Sequence, residues 1–112
     1  MVQDSLSNVF TALGDPTRRA ILLDLARGPK PVGEIAAPFG MTEPGVIKHL
    51  KVLERAGLVA VVPRGTTRTR VLQAAPLRDA FDWIAHYRSF WEPSFNQLDE
   101  LLQQLQEEKH DE

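Results

Sequence analysis

The chain has 112 residues, of which 43% are hydrophobic and 25% charged, and its formal net charge is −2 at pH 7. This length predicts one domain over 1–112 with a single core and leaves little room for a deep enzyme cleft. Because cysteine is absent, disulfides, thiolate metal sites and cysteine nucleophiles are excluded. No apolar run approaches the roughly eighteen residues of a membrane span. The first ten residues contain Asp4 and no Lys or Arg, unlike a secretory signal, so a cytoplasmic protein without membrane contact is predicted.

Charge is unevenly distributed along the chain. Between positions 42 and 73, six Lys and Arg residues stand against two Glu residues. Between positions 92 and 112, seven Asp and Glu residues stand against one Lys. A basic middle and an acidic end predict that one face meets an anionic partner while another is turned away from it.

Two helices are predicted before position 28. The first ends at Gly14, and its apolar residues recur at helical spacing: Leu6, Val9, Phe10 and Leu13. Asp15 then supplies an N-cap acceptor, and Pro16 takes the first position of the second helix, where its missing N–H costs nothing. Arg18 and Arg19 are expected to be ordinary surface charges.

The segment of about 32–56 has the spacing of a helix-turn-helix. It predicts a short helix over 32–38 and a longer one over 42–56, which Gly57 stops. A small alanine stands four positions before Gly40, which can take the positive φ that a sharp turn demands. Val46, six positions later, can fill the core from the second helix.

The longer helix carries polar and basic residues in its first turns. The N-terminal part of a recognition helix enters the major groove, where short polar side chains reach base edges and basic ones meet phosphates. The candidate DNA contacts on this helix are Thr42, Glu43, Gly45, Lys48, His49 and Lys51. Glu43 has an alternative role at the positive end of the helix dipole, and His49 has one as a plain surface histidine.

Two β-rich segments, 58–63 and 68–73, flank the turn residues of 64–67 and predict a hairpin over about 58–73. Arginines near a flexible tip suit a wing that reaches the DNA backbone or minor groove, and the candidates are Arg64, Arg68 and Arg70. The predicted fold is therefore mainly α with a small β-hairpin, a winged helix-turn-helix.

The last part of the chain, about 76–108, predicts a helical region that Pro93 kinks or interrupts. Its apolar side chains recur at spacings of four and three, a coiled-coil-like seam too long to bury in so small a domain. With the first helix, this seam predicts the interface of a two-fold homodimer: Leu6, Phe10, Leu13, Trp91, Phe95, Leu98, Leu102 and Leu105. Aromatic residues between 83 and 95 are expected in the core or this interface rather than in an effector pocket.

The sequence resembles the ArsR-type family of bacterial winged-helix repressors over nearly its whole length. The similarity lies in FTALGDPTRRAILLDLA, VGEIAAPFGMTEPGVIKHLKVLERAGLV and PRGTTRTRVLQ, and YRSFWEPSFNQLDELL resembles a branch with a long aromatic-rich last helix. This resemblance implies a homodimeric repressor of operator DNA, with a small-molecule effector of unknown identity. The cysteine motif of the metal-sensing branch is missing, and Ile47 stands where the family often has a small hydroxyl residue.

Two other functions compete with this interpretation. A winged helix can serve protein–protein contact, and the acidic total charge supports that alternative, although its fourth helix would then expose large apolar residues. A small metal-dependent enzyme has in its favour only Asp79, Asp82 and His86, which share one helical face. Because the sequence holds no nucleophile elbow, phosphate loop or paired histidine motif, we expect no enzyme, no cofactor and no metal site.

Overall fold

Capping side chains determine where the first two helices begin. In the computed structural model, which describes residues 4–91 and 93–110, helix α1 spans Ser5–Leu13 and helix α2 spans Pro16–Leu25. The Asp4 carboxylate accepts the Ser7 N–H at 2.7 Å, and the Asp15 carboxylate accepts the N–H groups of Thr17 and Arg18 at 2.8 and 3.1 Å. Helix α2 therefore starts where the sequence predicts.

The helix-turn-helix follows with one difference from the prediction. Helix α3 spans Val32–Ala36 and helix α4 spans Glu43–Arg55. The α-helix predicted over 32–38 is wrong beyond Ala36, because Pro38 has no N–H to donate to the preceding turn and the chain tightens into a single 3₁₀ turn over Ala37–Phe39. Gly40 then adopts φ 64°, as the sharp turn requires.

The predicted hairpin is part of a three-stranded antiparallel sheet. Strand β2 spans Val59–Arg64 and β3 spans Thr67–Leu72, in a register that places Val59 opposite Leu72. A short strand β1 at Lys30–Pro31 adds to the free edge of β3, giving the order β1-β3-β2. The sequence did not predict β1, because two residues carry no periodicity.

The core lies between the helices and one side of the sheet. Helices α1 to α4 and strand β2 contribute to it, and α5, which spans Ala75–Ala85, contributes Ala80. The largest fully buried side chains are Val9, Ile21, Ile35, Val46, Leu50, Leu53 and Leu58. Three of these belong to α4, so the orientation of that helix about its axis is set by packing.

The described residues up to position 81 form one compact unit, and those from position 82 onward form a second. The second unit holds the end of α5, helix α6 at Arg88–Trp91 and helix α7 at Pro93–His110. Helix α7 begins at Pro93, where the sequence predicts a kink or an interruption. A further break in the helical region, at positions 86 and 87, was not predicted. Among the described residues, no helix is both long and apolar enough to cross a membrane.

Apolar side chains of the second unit are exposed. Trp83 and Tyr87 have ring centroids 5.3 Å apart, and Tyr87 and Phe90 have theirs 6.4 Å apart. Phe90 remains 80% exposed, and about half of the surface of each of these seam residues is exposed: Trp91, Leu98, Leu102 and Leu105. The side chain of Phe95, the remaining seam residue, lies outside those described. The aromatic residues of this unit therefore do not form a closed core within it.

Leu50→Ala is expected to lower the free energy of unfolding by about 2–5 kcal/mol, because it leaves a cavity beside a fully buried side chain of α4. Leu23→Ala removes the same atoms from a side chain that is 73% exposed, and we expect a loss below about 0.5 kcal/mol. Urea denaturation of the two variants and the wild type checks this. Equal losses would contradict the assignment of Leu50 to the core.

Candidate nucleic-acid interface

Helix α4 begins at a cap made by Thr42. The backbone of Thr42 is extended, with φ −73° and ψ 155°, and its hydroxyl oxygen accepts the Gly45 N–H at 3.2 Å. Thr42 is itself exposed, so its hydroxyl hydrogen stays available to an outside acceptor. The same residue thus fixes the start of the helix and presents a polar group there.

The two faces of α4 differ in chemistry. Val46, Leu50 and Leu53 are completely buried on one face. Lys48 and Lys51 are exposed on the other, together with Arg55 in the last turn. Within the described residues, neither lysine side chain is engaged in an ion pair or hydrogen bond. This face offers free cationic groups to an anionic partner.

Glu43 is directed towards the other helix of the motif. Its Oε1 atom lies 3.0 Å from the position that a Cβ atom would take at Gly33. Gly33 therefore leaves the space that the carboxylate occupies beside α3. This contact could not be predicted from the sequence, because it depends on how closely α3 and α4 cross.

His49 is directed back towards α2. Its Nδ1 atom lies 3.4 Å from Nη1 of Arg18 and 4.0 Å from Oδ1 of Asp15. The side chain of His49 is 23% exposed. His49 thus lies at the edge of the exposed face of α4, in contact with the start of α2.

Arg18 is not an ordinary surface charge, and that expectation is wrong. Its guanidinium donates from Nε to the carbonyl of Ala12 at 2.8 Å and from Nη2 to that of Thr11 at 2.9 Å. Arg19 donates to the carbonyl of Leu13 at 2.7 Å. The last carbonyls of a helix have no partner within it, so both arginines satisfy the end of α1. Through His49, Arg18 also connects α1 and α2 to α4.

The three arginines of the sheet have different surroundings. Arg64 and Arg68 are exposed beside the turn, where Gly65 has φ 60°, and their side chains make no polar contact with the described residues. Arg70 is only 13% exposed, with Nε 3.8 Å from Oε1 of Glu54 and Nη1 donating to the carbonyl of Arg68 at 3.3 Å. Arg64 and Arg68 are therefore presented at the tip, whereas Arg70 is turned towards the end of α4.

The Asp15 carboxyl group titrates below its usual range. The N–H of Arg18 is the main reason that the pKa of Asp15 is lowered, with smaller contributions from the N–H of Thr17 and from the charges of His49 and Arg18. Hydrogen bonds to the ionised form stabilise it, and with the nearby charges they outweigh desolvation, which raises the pKa and is the second-largest effect. The cap of α2 is thus a charged one over most of the pH scale.

No metal centre is formed by the carboxylates and histidines of the described residues. Asp79 lies in α5, and Nδ1 of His86 is 3.0 Å from the carbonyl of Trp83. The metal-enzyme alternative therefore gains no support from the positions of Asp79, Asp82 and His86.

The relatives found by comparison with known proteins are regulators of transcription. Residues 13–62 match the family model described as a helix-turn-helix domain. The transcriptional repressor SdpR of Bacillus subtilis is 33% identical, over 73% of this chain and 91% of its own length. The chain belongs to the ArsR-type family of winged helix-turn-helix transcriptional regulators.

Solved structures support the same family and fold. A crystal structure of an ArsR family transcriptional regulator is 39% identical and covers 82% of this chain and 97% of its own, with a TM-score of 0.70. A homodimeric winged helix-turn-helix DNA-binding domain from Mycobacterium bovis is 27% identical, with a TM-score of 0.63, over 78% of this chain and 82% of its own. The prediction of a mainly α winged helix-turn-helix regulator of transcription is confirmed, and the named relatives are regulators rather than enzymes.

The charged cap of α2 predicts a pH dependence of stability in this ArsR-type regulator. Because the folded-state pKa of Asp15 is lowered, its contribution is present above the unfolded-state pKa and is lost as pH falls through the folded-state value. Asp15→Asn keeps a capping oxygen but does not titrate. We expect the Tm of the wild type to fall more steeply than that of the variant between about pH 5 and about pH 2. Parallel Tm curves would show that ionisation of Asp15 does not stabilise the folded protein.

Proposed function

We propose that this ArsR-type regulator is a repressor that binds a near-palindromic operator as a homodimer and has no catalytic activity of its own. It acts in the cytoplasm, where its DNA target lies. The observation that carries the proposal is the combination of free cationic side chains on α4 and at the tip of the sheet. Lys48, Lys51, Arg64 and Arg68 are all exposed and without polar partners among the described residues.

Helix α4 enters the major groove with its N-terminal end. Thr42 and Gly45 then lie nearest the base edges, where the Thr42 hydroxyl group reaches a base acceptor and Gly45, which has no side chain, allows a close approach. Lys48 and Lys51 neutralise phosphates and fix the register of the helix on the duplex. The tip of the sheet serves as the wing, with Arg64 and Arg68 directed to the backbone or the minor groove.

Three predicted DNA contacts take a supporting part in this proposal. Glu43 lies beside Gly33 of α3, His49 contacts Arg18 of α2, and Arg70 faces Glu54. Groups already held by the protein are less available to DNA, and carboxylates repel phosphates. We assign these three side chains to the orientation of α4 and the wing rather than to base readout.

The dimer is supported by the homodimeric relative and by the exposed apolar seam of the second unit. Seam residues of two copies, joined by Leu6, Phe10 and Leu13 of α1, which are each partly buried, give a self-complementary two-fold interface. The two recognition helices then lie one DNA turn apart, about 34–36 Å, and read the two halves of a near-palindrome. Occupation of the operator excludes RNA polymerase, in line with the name of the repressor SdpR.

Lys48→Ala and Arg68→Ala are each expected to reduce the salt dependence of operator binding. Each substitution removes one phosphate contact per protomer and two per dimer. Since one contact contributes about 0.9 to the log–log slope, each variant should lose about 1.8. Purified protein first selects genomic fragments, and fluorescence anisotropy on the recovered site then measures Kd against salt concentration.

Arg27→Ala is the matched control. Arg27 is an exposed arginine just after the end of α2, and the proposal places it outside the DNA interface. Its slope should equal that of the wild type. If no fragment is enriched, and all three variants bind DNA weakly and equally, the proposal fails and the wing and α4 become candidates for a protein partner.

Leu98→Glu and Leu102→Glu are expected to raise the dissociation constant of the dimer by at least about tenfold, because each places two unpaired carboxylates in an apolar interface. Gln103→Glu adds the same charge at an exposed position on the opposite side of α7 and should leave the dimer intact. Sedimentation equilibrium measures all three variants. A wild-type protein that is monomeric at every concentration would overturn the dimer.

A further inference from the structure

A polar cleft of about 330 Å³ lies at the C-terminal end of α4, within the first compact unit. Its walls come from three helices: Ser5 and Asn8 belong to α1, Arg55 to α4 and Asp79 to α5. Ligand pockets have volumes of about 300–1,000 Å³, so a cleft of this size fits a molecule at the small end of that range.

Two side chains of opposite charge face this cleft without neutralising each other. Arg55 and Asp79 make no ion pair, and neither side chain has a polar partner among the described residues. Both residues are exposed, so their free charges are solvated rather than buried. A ligand that carries both an anionic and a cationic group can satisfy both residues at once.

The rest of the lining is apolar or uncharged. Val9 and Ala56, which are 1% and 8% exposed, close the cleft on the side of the core. Gly57 ends α4 with φ 75°, and a Cβ atom there would meet only the ring of Pro76, at 3.5 Å. Asn8 and Ser5 add an amide and a hydroxyl group, which can donate or accept hydrogen bonds. The lining thus combines two charges, two neutral polar groups and a small apolar surface.

We propose that this cleft binds a free α-amino acid. The planar guanidinium of Arg55 matches a carboxylate with two parallel hydrogen bonds. The carboxylate of Asp79 takes the ammonium group, and Asn8 and Ser5 orient the ligand between them. The ring of Pro76 receives the ligand's side chain, with Val9 and Ala56 closing the cleft behind it, so the size of that side chain sets which amino acids bind.

The position of the cleft gives such a ligand a regulatory role, which rests on the proposed function. The ligand touches the last turn of α4, the helix proposed to enter the DNA, and also α1, a part of the proposed dimer interface. A ligand changes DNA affinity only if it binds one conformation of these helices better than the other. The effector of this regulator is then an amino acid, and DNA and amino acid alter each other's affinity by the same factor.

Calorimetric titration of the full chain with each proteinogenic L-amino acid, in the absence of DNA, tests the binding site directly. We expect saturable binding of at least one of them with one site per chain. The N-acetyl derivative and the amide of that amino acid lack the ammonium and the carboxylate respectively. Each should bind at least about tenfold more weakly, because one charged pair is lost. Absence of binding by every amino acid, or binding of either derivative as tight as that of the parent amino acid, overturns the proposal.

Arg55→Gln and Asp79→Asn locate the site. Both residues are exposed, so both variants should fold, and far-UV circular dichroism confirms that they do. Each should weaken amino-acid binding by about tenfold or more, whereas the matched controls Arg27→Gln and Asp82→Asn should bind as the wild type does. Unchanged binding by Arg55→Gln and Asp79→Asn contradicts the site.

The regulatory step is measured separately, as the operator Kd with and without the amino acid. A protein that binds the amino acid but no DNA refutes the proposed function and leaves the site intact. A protein that binds DNA but no amino acid does the reverse. Binding of both without any change in the operator Kd overturns the regulatory role.

Discussion

Helix α4 must keep one face in the core and the other in water, and much of the structure around it follows from that requirement. Val46, Leu50 and Leu53 have no exposed surface. A rotation of α4 about its axis would bring these side chains into water, at a cost of about 1.5–3 kcal/mol for each one exposed. The cationic side of the helix is thereby held outward.

Polar contacts fix the positions of the helices relative to one another, which the apolar core alone does not. Apolar burial has no preferred direction. It therefore determines which face of α4 is buried more firmly than it determines the position of α4 along its neighbouring helices. Hydrogen bonds are directional, and those from Arg18 reach the carbonyls of Thr11 and Ala12 as well as His49. One side chain therefore sets α1, α2 and α4 relative to one another. In a dimer built on α1, the same contacts would help to set the distance between the two recognition helices.

The features that could be predicted from the sequence are local ones. A cap, a positive φ and an apolar period act within a few residues, so the roles of Asp15, Gly40 and Val46 were predicted correctly. Strand β1 was missed because its stability comes from pairing with β3, where Lys30 lies opposite Arg70. The break at positions 86 and 87 was missed because no glycine or proline marks it.

The candidate site likewise has some features that could be predicted from local sequence and others that could not. Which residues lie on the surface of α4 and the hairpin follows from periodicity, and Lys48, Lys51, Arg64 and Arg68 are exposed there. The directions of Glu43 and His49 depend on α3 and α2, whose distances the sequence does not encode locally. Arg68 and Arg70 share a strand face by alternation, yet only Arg70 is covered, because Glu54 of α4 lies beside that end of the strand.

The length of α4 makes its C-terminal end an effective place for control. The helix has 13 residues without interruption, and at 1.5 Å per residue its ends are about 20 Å apart. A tilt of about 10° about the end near Arg55 would move the end near Thr42 by about 3 Å, which exceeds the range over which a hydrogen bond to a base persists. The core allows such a tilt more readily than a rotation, because a tilt leaves the same face buried. A small ligand between α1, α4 and α5 would therefore change DNA affinity without touching Thr42, Lys48 or Lys51.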